Sequence, residues 1–174
     1  MDRNCPDYYV EPSVGSSAAE TKELIAHIRS LPTPAHSSDP LVHPILTPRF
    51  AISCSPALLS SLGNIASSDP SLHIQTHISE NITEIAFTRE LFPSAHHYAD
   101  VYDSFGLLRQ NTVLAHAVHL EDAEVELIAK RGAGISHCPT SNLNLSSGVA
   151  PIGAYLDQGI KVGRDPHPHP YCGH

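Results

Sequence analysis

At 174 residues, with 41% hydrophobic and 6% aromatic content and no tryptophan, the chain is long enough for one domain with a core of small apolar side chains. A net charge of -8 argues against nucleic acid or anionic membrane as the main partner, since both demand a cationic surface. No apolar run approaches membrane-spanning length, the N-terminus lacks a signal-peptide layout, and four scattered cysteines (Cys5, Cys54, Cys138, Cys172) read as free thiols of a reducing, cytoplasmic compartment.

Residues 1–14 are irregular, with Pro6 and Pro12 opposing helix. Ser17-Ala18-Ala19-Glu20 has capping-box spacing, and Leu24, Ile25, Ile28 and Leu31 follow at helical spacing until Pro32 and Pro34. A Pro/Ser loop over 33–40 leads to a short strand at Leu41–Thr47, weakened by Pro44 and tipped by Arg49-Phe50. Ser55-Pro56 starts a helix carried by Leu58, Leu59, Leu62 and Ile65. Residues 72–78 alternate with period two: Leu72, Ile74 and Ile78 face one side, His73, Gln75 and His77 the other, so this is a strand ending in the loop Ser79-Glu80-Asn81. A helix over 83–91, a strand over 111–116 ending in His116, and a helix over 120–130 closed by Gly132 come next. A strand over 134–137 is tipped by His137, a short helix spans 152–156, and a fifth strand spans 159–163. The Pro/His-rich stretch 164–174 has no pattern and reads as an irregular tail after a domain over 1–163.

Strict alternation of strand and helix implies α/β architecture with a parallel sheet. Phosphate-cradling glycine fingerprints are absent, while polar residues gather at successive strand ends, which favours a (β/α)8 TIM-type barrel. Five strands in 174 residues fall short of eight in roughly 250, so the expectation is a partial barrel.

Three strand tips carry histidine: His77, His116 and His137. Imidazole is a zinc ligand, and Glu80, three residues beyond His77, is placed to accept a proton from a metal-bound water. Arg49 offers a donor for a carbonyl and Phe50 a ring for a planar heterocycle. Each has a plainer reading: Arg49 a surface ion pair, Phe50 core packing, His77 an interior hydrogen bond, and His137 a structural pocket wall, which we favour for that residue.

His77-Ile78-Ser79-Glu80, Leu114-Ala115-His116 and Ser136-His137-Cys138-Pro139-Thr140-Ser141-Asn142-Leu143 resemble, in order and spacing, strands five to seven of the aminohydrolase branch of the amidohydrolase superfamily. Within it, Thr47-Pro48-Arg49-Phe50, the run from Ser141 to Gly148, and the opening Met1-Asp2-Arg3-Asn4 look most like the guanine deaminases. The resemblance runs from Met1 to about Gly163 and implies barrel strands four to seven or eight. It implies zinc-dependent hydrolytic deamination of guanine to xanthine and ammonia, in the cytoplasm, by a homodimer in the intact family member. By position, His77 is a zinc ligand, Glu80 shuttles the proton, His116 hydrogen-bonds the metal hydroxide, and Arg49 and Phe50 hold guanine, with His77 and Glu80 also facing the substrate.

The family's His-x-His of the first strand and Gly-Thr-Asp of the eighth do not occur, and Asp165, displaced and followed by a proline, receives no ligand role. The expectation is therefore a family member that does not perform the chemistry alone, and that associates through its uncovered strand edges. The alternatives are a related aminohydrolase of another heterocycle and a non-catalytic barrel piece acting as an interaction partner. The zinc cytidine-deaminase pattern is absent, and metal storage by the Pro/His tail carries little weight.

Overall fold

Period-two alternation places Ile74, Thr76 and Ile78 of β2 (His73–Ile78) in the interior and leaves His73, Gln75 and His77 on the opposite face. The computed structural model describes residues 1–36 and 39–164, and β2 is the second of five strands there. The others are β1 (Ile45–Leu46), β3 (Thr112–His116), β4 (Gly134–His137) and β5 (Lys161–Arg164). All pairings are parallel, and the order across the sheet is the order in the chain. A doubly wound sheet reverses direction at a switch point, whereas consecutive barrel strands do not. The sheet is thus an arc of a barrel.

Among the described residues seven α-helices accompany it: α1 (Val14–Ser30), α2 (Pro56–Ser68), α3 (Ile82–Leu91), α4 (Tyr98–Ser104), α5 (Asp122–Arg131), α6 (Pro139–Asn144) and α7 (Ile152–Asp157). The core lies between sheet and helices, where Leu46, Ile74, Leu114 and Ile135 meet Leu58 and Leu59 of α2, Tyr102 of α4, Ile128 of α5 and Tyr155 of α7. Burying each such aliphatic side chain is worth ~1.5–3 kcal/mol, so this outer layer carries most of the hydrophobic stabilisation. The other face of the sheet is open, with Val113 39% exposed.

Local signals explain the helix ends. The Ser55 hydroxyl caps α2 by accepting from the Leu58 N–H at 3.1 Å, with Pro56 at the first helical position. Asn81 and Glu84 form a reciprocal capping box on α3. Gly132, at φ 71°, takes the left-handed conformation that ends α5.

Several expectations need correction. The cap of α1 is Ser13, which accepts from the Ser16 N–H at 3.0 Å; Ser17 lies inside the helix, buried. The expected apolar stripe of α1 is poorly covered, since Leu24 is 58% exposed. β1 shrinks to two residues because Pro44 supplies no N–H, and Leu41 and Val42 are exposed. Alternation is not strict: α3 and α4 both lie between β2 and β3, and α6 and α7 both lie between β4 and β5. Arg164 extends β5 opposite His137 rather than opening the tail, whose other residues, Asp165 and Cys172 included, lie outside the described ones. The expectation of free thiols, by contrast, holds for the described cysteines Cys5, Cys54 and Cys138.

Candidate active site

The parallel sheet delivers its strand ends to one rim. Arg49 follows β1, His77 is the penultimate residue of β2, Glu80 lies in the loop from β2 to α3, and His116 ends β3. These four line one cleft of about 460 Å³, together with Gln75 and Ser141. Phe50 stands beside it: its ring centroid is 6.2 Å from that of His77, and the Arg49 guanidinium lies 5.3 Å from the ring centre. His137 does not line this cleft.

The register of β2 on β3 sets Ile78 opposite His116, and the imidazoles of His77 and His116 stack with centroids 5.1 Å apart. The backbone is strained here. Ser79 (φ 47°), His116 (φ 73°) and Ala117 (φ 49°) are all left-handed without being glycine, at a cost of ~1–3 kcal/mol each. The ladder holds them, because the Ala117 N–H reaches Ile78 O and the N–H groups of Val118 and His119 both reach Ser79 O, each at 3.1 Å.

His77 is fixed from behind. Its Nδ1–H donates to the Arg49 carbonyl at 2.7 Å, and its backbone N–H donates to the same oxygen at 3.2 Å. Burial holds the His77 pKa below its ordinary value despite that hydrogen bond, and the neighbouring His116 acts in the same direction as burial. The ring is therefore neutral at neutral pH, with the Nε2 lone pair free. His116 is 6% exposed, and its Nδ1 lies 2.7 Å from Oδ1 of Asn142 and 3.5 Å from Oε1 of Glu80.

A neutral imidazole oriented by a backbone carbonyl is the form zinc takes as a ligand, so His77 fits one position of such a site. Among the described residues, however, no group of three His, Cys, Asp or Glu could hold a metal ion. His77 could supply one ligand, and among the described residues no complete metal site accompanies it.

Behind the rim runs a buried hydrogen-bond network. The Tyr102 hydroxyl donates to the His77 carbonyl at 2.7 Å and receives the Thr76 hydroxyl at 2.9 Å and the Ala51 N–H at 3.0 Å. It thereby ties the Arg49-Phe50 segment to the tip of β2. Tyr102 and Asn142 had no role in the sequence reading. Pro139, placed for a first helical turn after Cys138, could have located α6 and with it Asn142.

Comparison with known proteins fits this geometry. The profile of the amidohydrolase family matches residues 2–164. The chain belongs to that family. Over 166 residues it is 52% identical to a probable guanine deaminase of Schizosaccharomyces pombe, covering 94% of this chain and 30% of that one. The guanine deaminase of Escherichia coli is 37% identical over 163 residues, 94% of this chain and 35% of the relative. Among solved structures, a guanine deaminase from C. acetobutylicum with guanine bound in its active site matches with a TM-score of 0.86 at 40% identity, over 94% of this chain and 37% of that one. An atrazine chlorohydrolase from Arthrobacter aurescens complexed with zinc matches with a TM-score of 0.79 at 26% identity, over 92% and 33%. This amidohydrolase chain thus spans about a third of the length of the relatives it matches. No helix among its described residues is long and apolar enough to cross a membrane.

Proposed function

We propose that this chain carries the purine-holding and proton-moving part of a guanine deaminase site, which hydrolyses guanine to xanthine and ammonia. The observation that carries the reading is the convergence of Arg49, His77, Glu80 and His116 on one cleft at the carboxyl ends of parallel strands. Arg49 donates to the guanine carbonyl, and Phe50, packed against its guanidinium, flanks the base on the His77 side. Glu80 takes a proton from the attacking water and returns it to the purine ring as the tetrahedral carbon forms. His116 hydrogen-bonds that water. His77 offers Nε2 as one zinc ligand, and further ligands would come from strands other than β1–β5. The cytoplasmic setting and a homodimer of the whole enzyme belong to the same reading, the former supported by the thiols.

The test is a chimera in which residues 2–164 replace the matching span of the S. pombe relative, assayed for xanthine and ammonia. Guanine turnover that loses affinity in Arg49→Ala supports the reading. A folded, zinc-loaded chimera inert towards guanine would falsify it.

A further inference from the structure

We propose that Asn142 is a positioning residue which, together with Glu80, fixes His116 as the tautomer protonated on Nδ1, leaving Nε2 bare on the cleft side as a proton acceptor. The inference rests on the reading above only in taking His116 as part of the working site.

The contact joins two buried side chains. Asn142 is 1% exposed, and its Oδ1 is 2.7 Å from Nδ1 of His116. A carboxamide can present either end to that nitrogen, and Glu80 decides which. Its Oε1 lies 3.5 Å from the same Nδ1 and has no hydrogen-bond partner among the described residues. With the amide nitrogen of Asn142 facing the ring, Nδ1 would be a bare lone pair beside a carboxylate oxygen, a repulsion strengthened by the low local dielectric. With Oδ1 facing the ring, Nδ1–H donates to it, and the Glu80 oxygen 3.5 Å away faces a proton rather than a lone pair. The second arrangement leaves Nδ2 of Asn142 without a partner, which is the lesser penalty because that group is neutral.

Neither partner is free to turn away. The Asn142 N–H donates to Cys138 O at 3.0 Å, and its carbonyl receives the Ser147 N–H at 2.8 Å, so α6 holds its position along the backbone. The turn beyond α6 is latched to the loop after β3 by Nε2 of His119 on Ser147 O at 2.7 Å. From α7, the Tyr155 hydroxyl grips Ala117 O at 2.8 Å. His116 itself is held by its left-handed backbone and by the stacked His77 ring. Nδ1 is engaged on the protein side, so Nε2 is the ring nitrogen left for the cleft that His116 lines.

Free histidine in water favours the opposite tautomer, so Asn142 sets the direction of the hydrogen bond His116 makes in the cleft. With Nε2 bare, His116 accepts from a water or hydroxyl there rather than donating to it.

The test is long-range proton–nitrogen NMR on the 174-residue chain labelled with 15N-histidine, above neutral pH, with His116 assigned by the signals lost in His116→Gln. The expected pattern is proton on Nδ1 in the wild type and in Asn142→Asp, whose carboxylate also accepts. In Asn142→Leu the ratio of Nδ1–H to Nε2–H should fall by about fivefold, as for one lost hydrogen bond. A wild-type His116 protonated on Nε2, or a ratio unchanged in a folded Asn142→Leu, overturns the proposal. If the leucine variant does not fold, the wild-type and aspartate spectra decide on their own. An inactive chimera would leave these spectra untouched, so the two readings fail separately.

Discussion

Tyr102 has no exposed surface, and its hydroxyl is the shared partner of Thr76, Ala51 and His77. Removing that oxygen strands the buried Ala51 N–H and leaves the Thr76 hydroxyl only its longer contact to the Arg49 carbonyl, at 3.3 Å. Tyr102→Phe should therefore cost about 1–3 kcal/mol in urea denaturation, and loss of less than a few tenths would show the network to be replaceable. A second buried polar group acts through pH. Burial raises the Glu84 pKa, although its carboxylate accepts from Tyr98 at 2.7 Å and caps α3. A raised folded-state pKa means that the folded protein binds the proton more tightly than the unfolded chain. The associated stability is full below the unfolded value of about 4.3 and is lost as pH rises through the folded value. The carboxamide introduced by Glu84→Gln does not titrate. The urea midpoint of wild type should thus fall relative to that variant as pH climbs from about 4.3, and a gap moving the other way would contradict the assignment.

At the scale of elements, close packing dictates what each helix tolerates. A Cβ built on Gly63 of α2 would sit 1.9 Å from the Phe105 carbonyl oxygen, where no flexible side chain can give way. Gly63→Ala should lower stability by about 1–3 kcal/mol in thermal or urea melts, the range for overpacking; an unchanged melt would show that the α2–Phe105 contact yields. What was legible in the sequence follows from the strength of each local signal. Ile74 and His77 could be assigned to opposite faces because period two leaves no helical alternative, and Ser55-Pro56 and Gly132 marked helix ends by their backbone chemistry. Arg49, His77, Glu80 and His116 were readable as a set because parallel strands deliver their ends to one rim. The α4 helix went unread although Tyr98, Val101 and Tyr102 fall at i, i+3 and i+4: at seven residues it is too short for that period to stand out, and the tyrosine hydroxyls find their partners, Glu84 and Thr76, on other elements. The cap of α1 was misplaced because Ser13, Ser16 and Ser17 are chemically equivalent, and only the fold decides which one ends the helix. Nor could one sequence show Asn142 against His116, which is a contact between β3 and α6.

For the whole molecule, the sheet is an arc whose outer face is packed and whose inner face is open. Among the described residues, β1 and β5 are each paired on one side alone. Such edges template further strand pairing, so sedimentation should show association that grows with protein concentration; a monomer throughout would mean that the edges are protected. On the proposed reading, the same arc offers one imidazole, that of His77, to a metal. The 174-residue chain alone should lose zinc on gel filtration and release no ammonia from guanine, whereas stoichiometric zinc after filtration would mean that ligands beyond His77 had been overlooked.

In the proposed function the Glu80 carboxylate moves the proton in guanine hydrolysis. The most direct measurement is xanthine formation by the chimera with and without Glu80→Gln, at saturating guanine. kcat should fall by about 10²–10⁴-fold while the protein folds and guanine still binds. An unchanged kcat in the glutamine variant would remove Glu80 from the chemistry and, with it, the proton-moving role assigned to this chain.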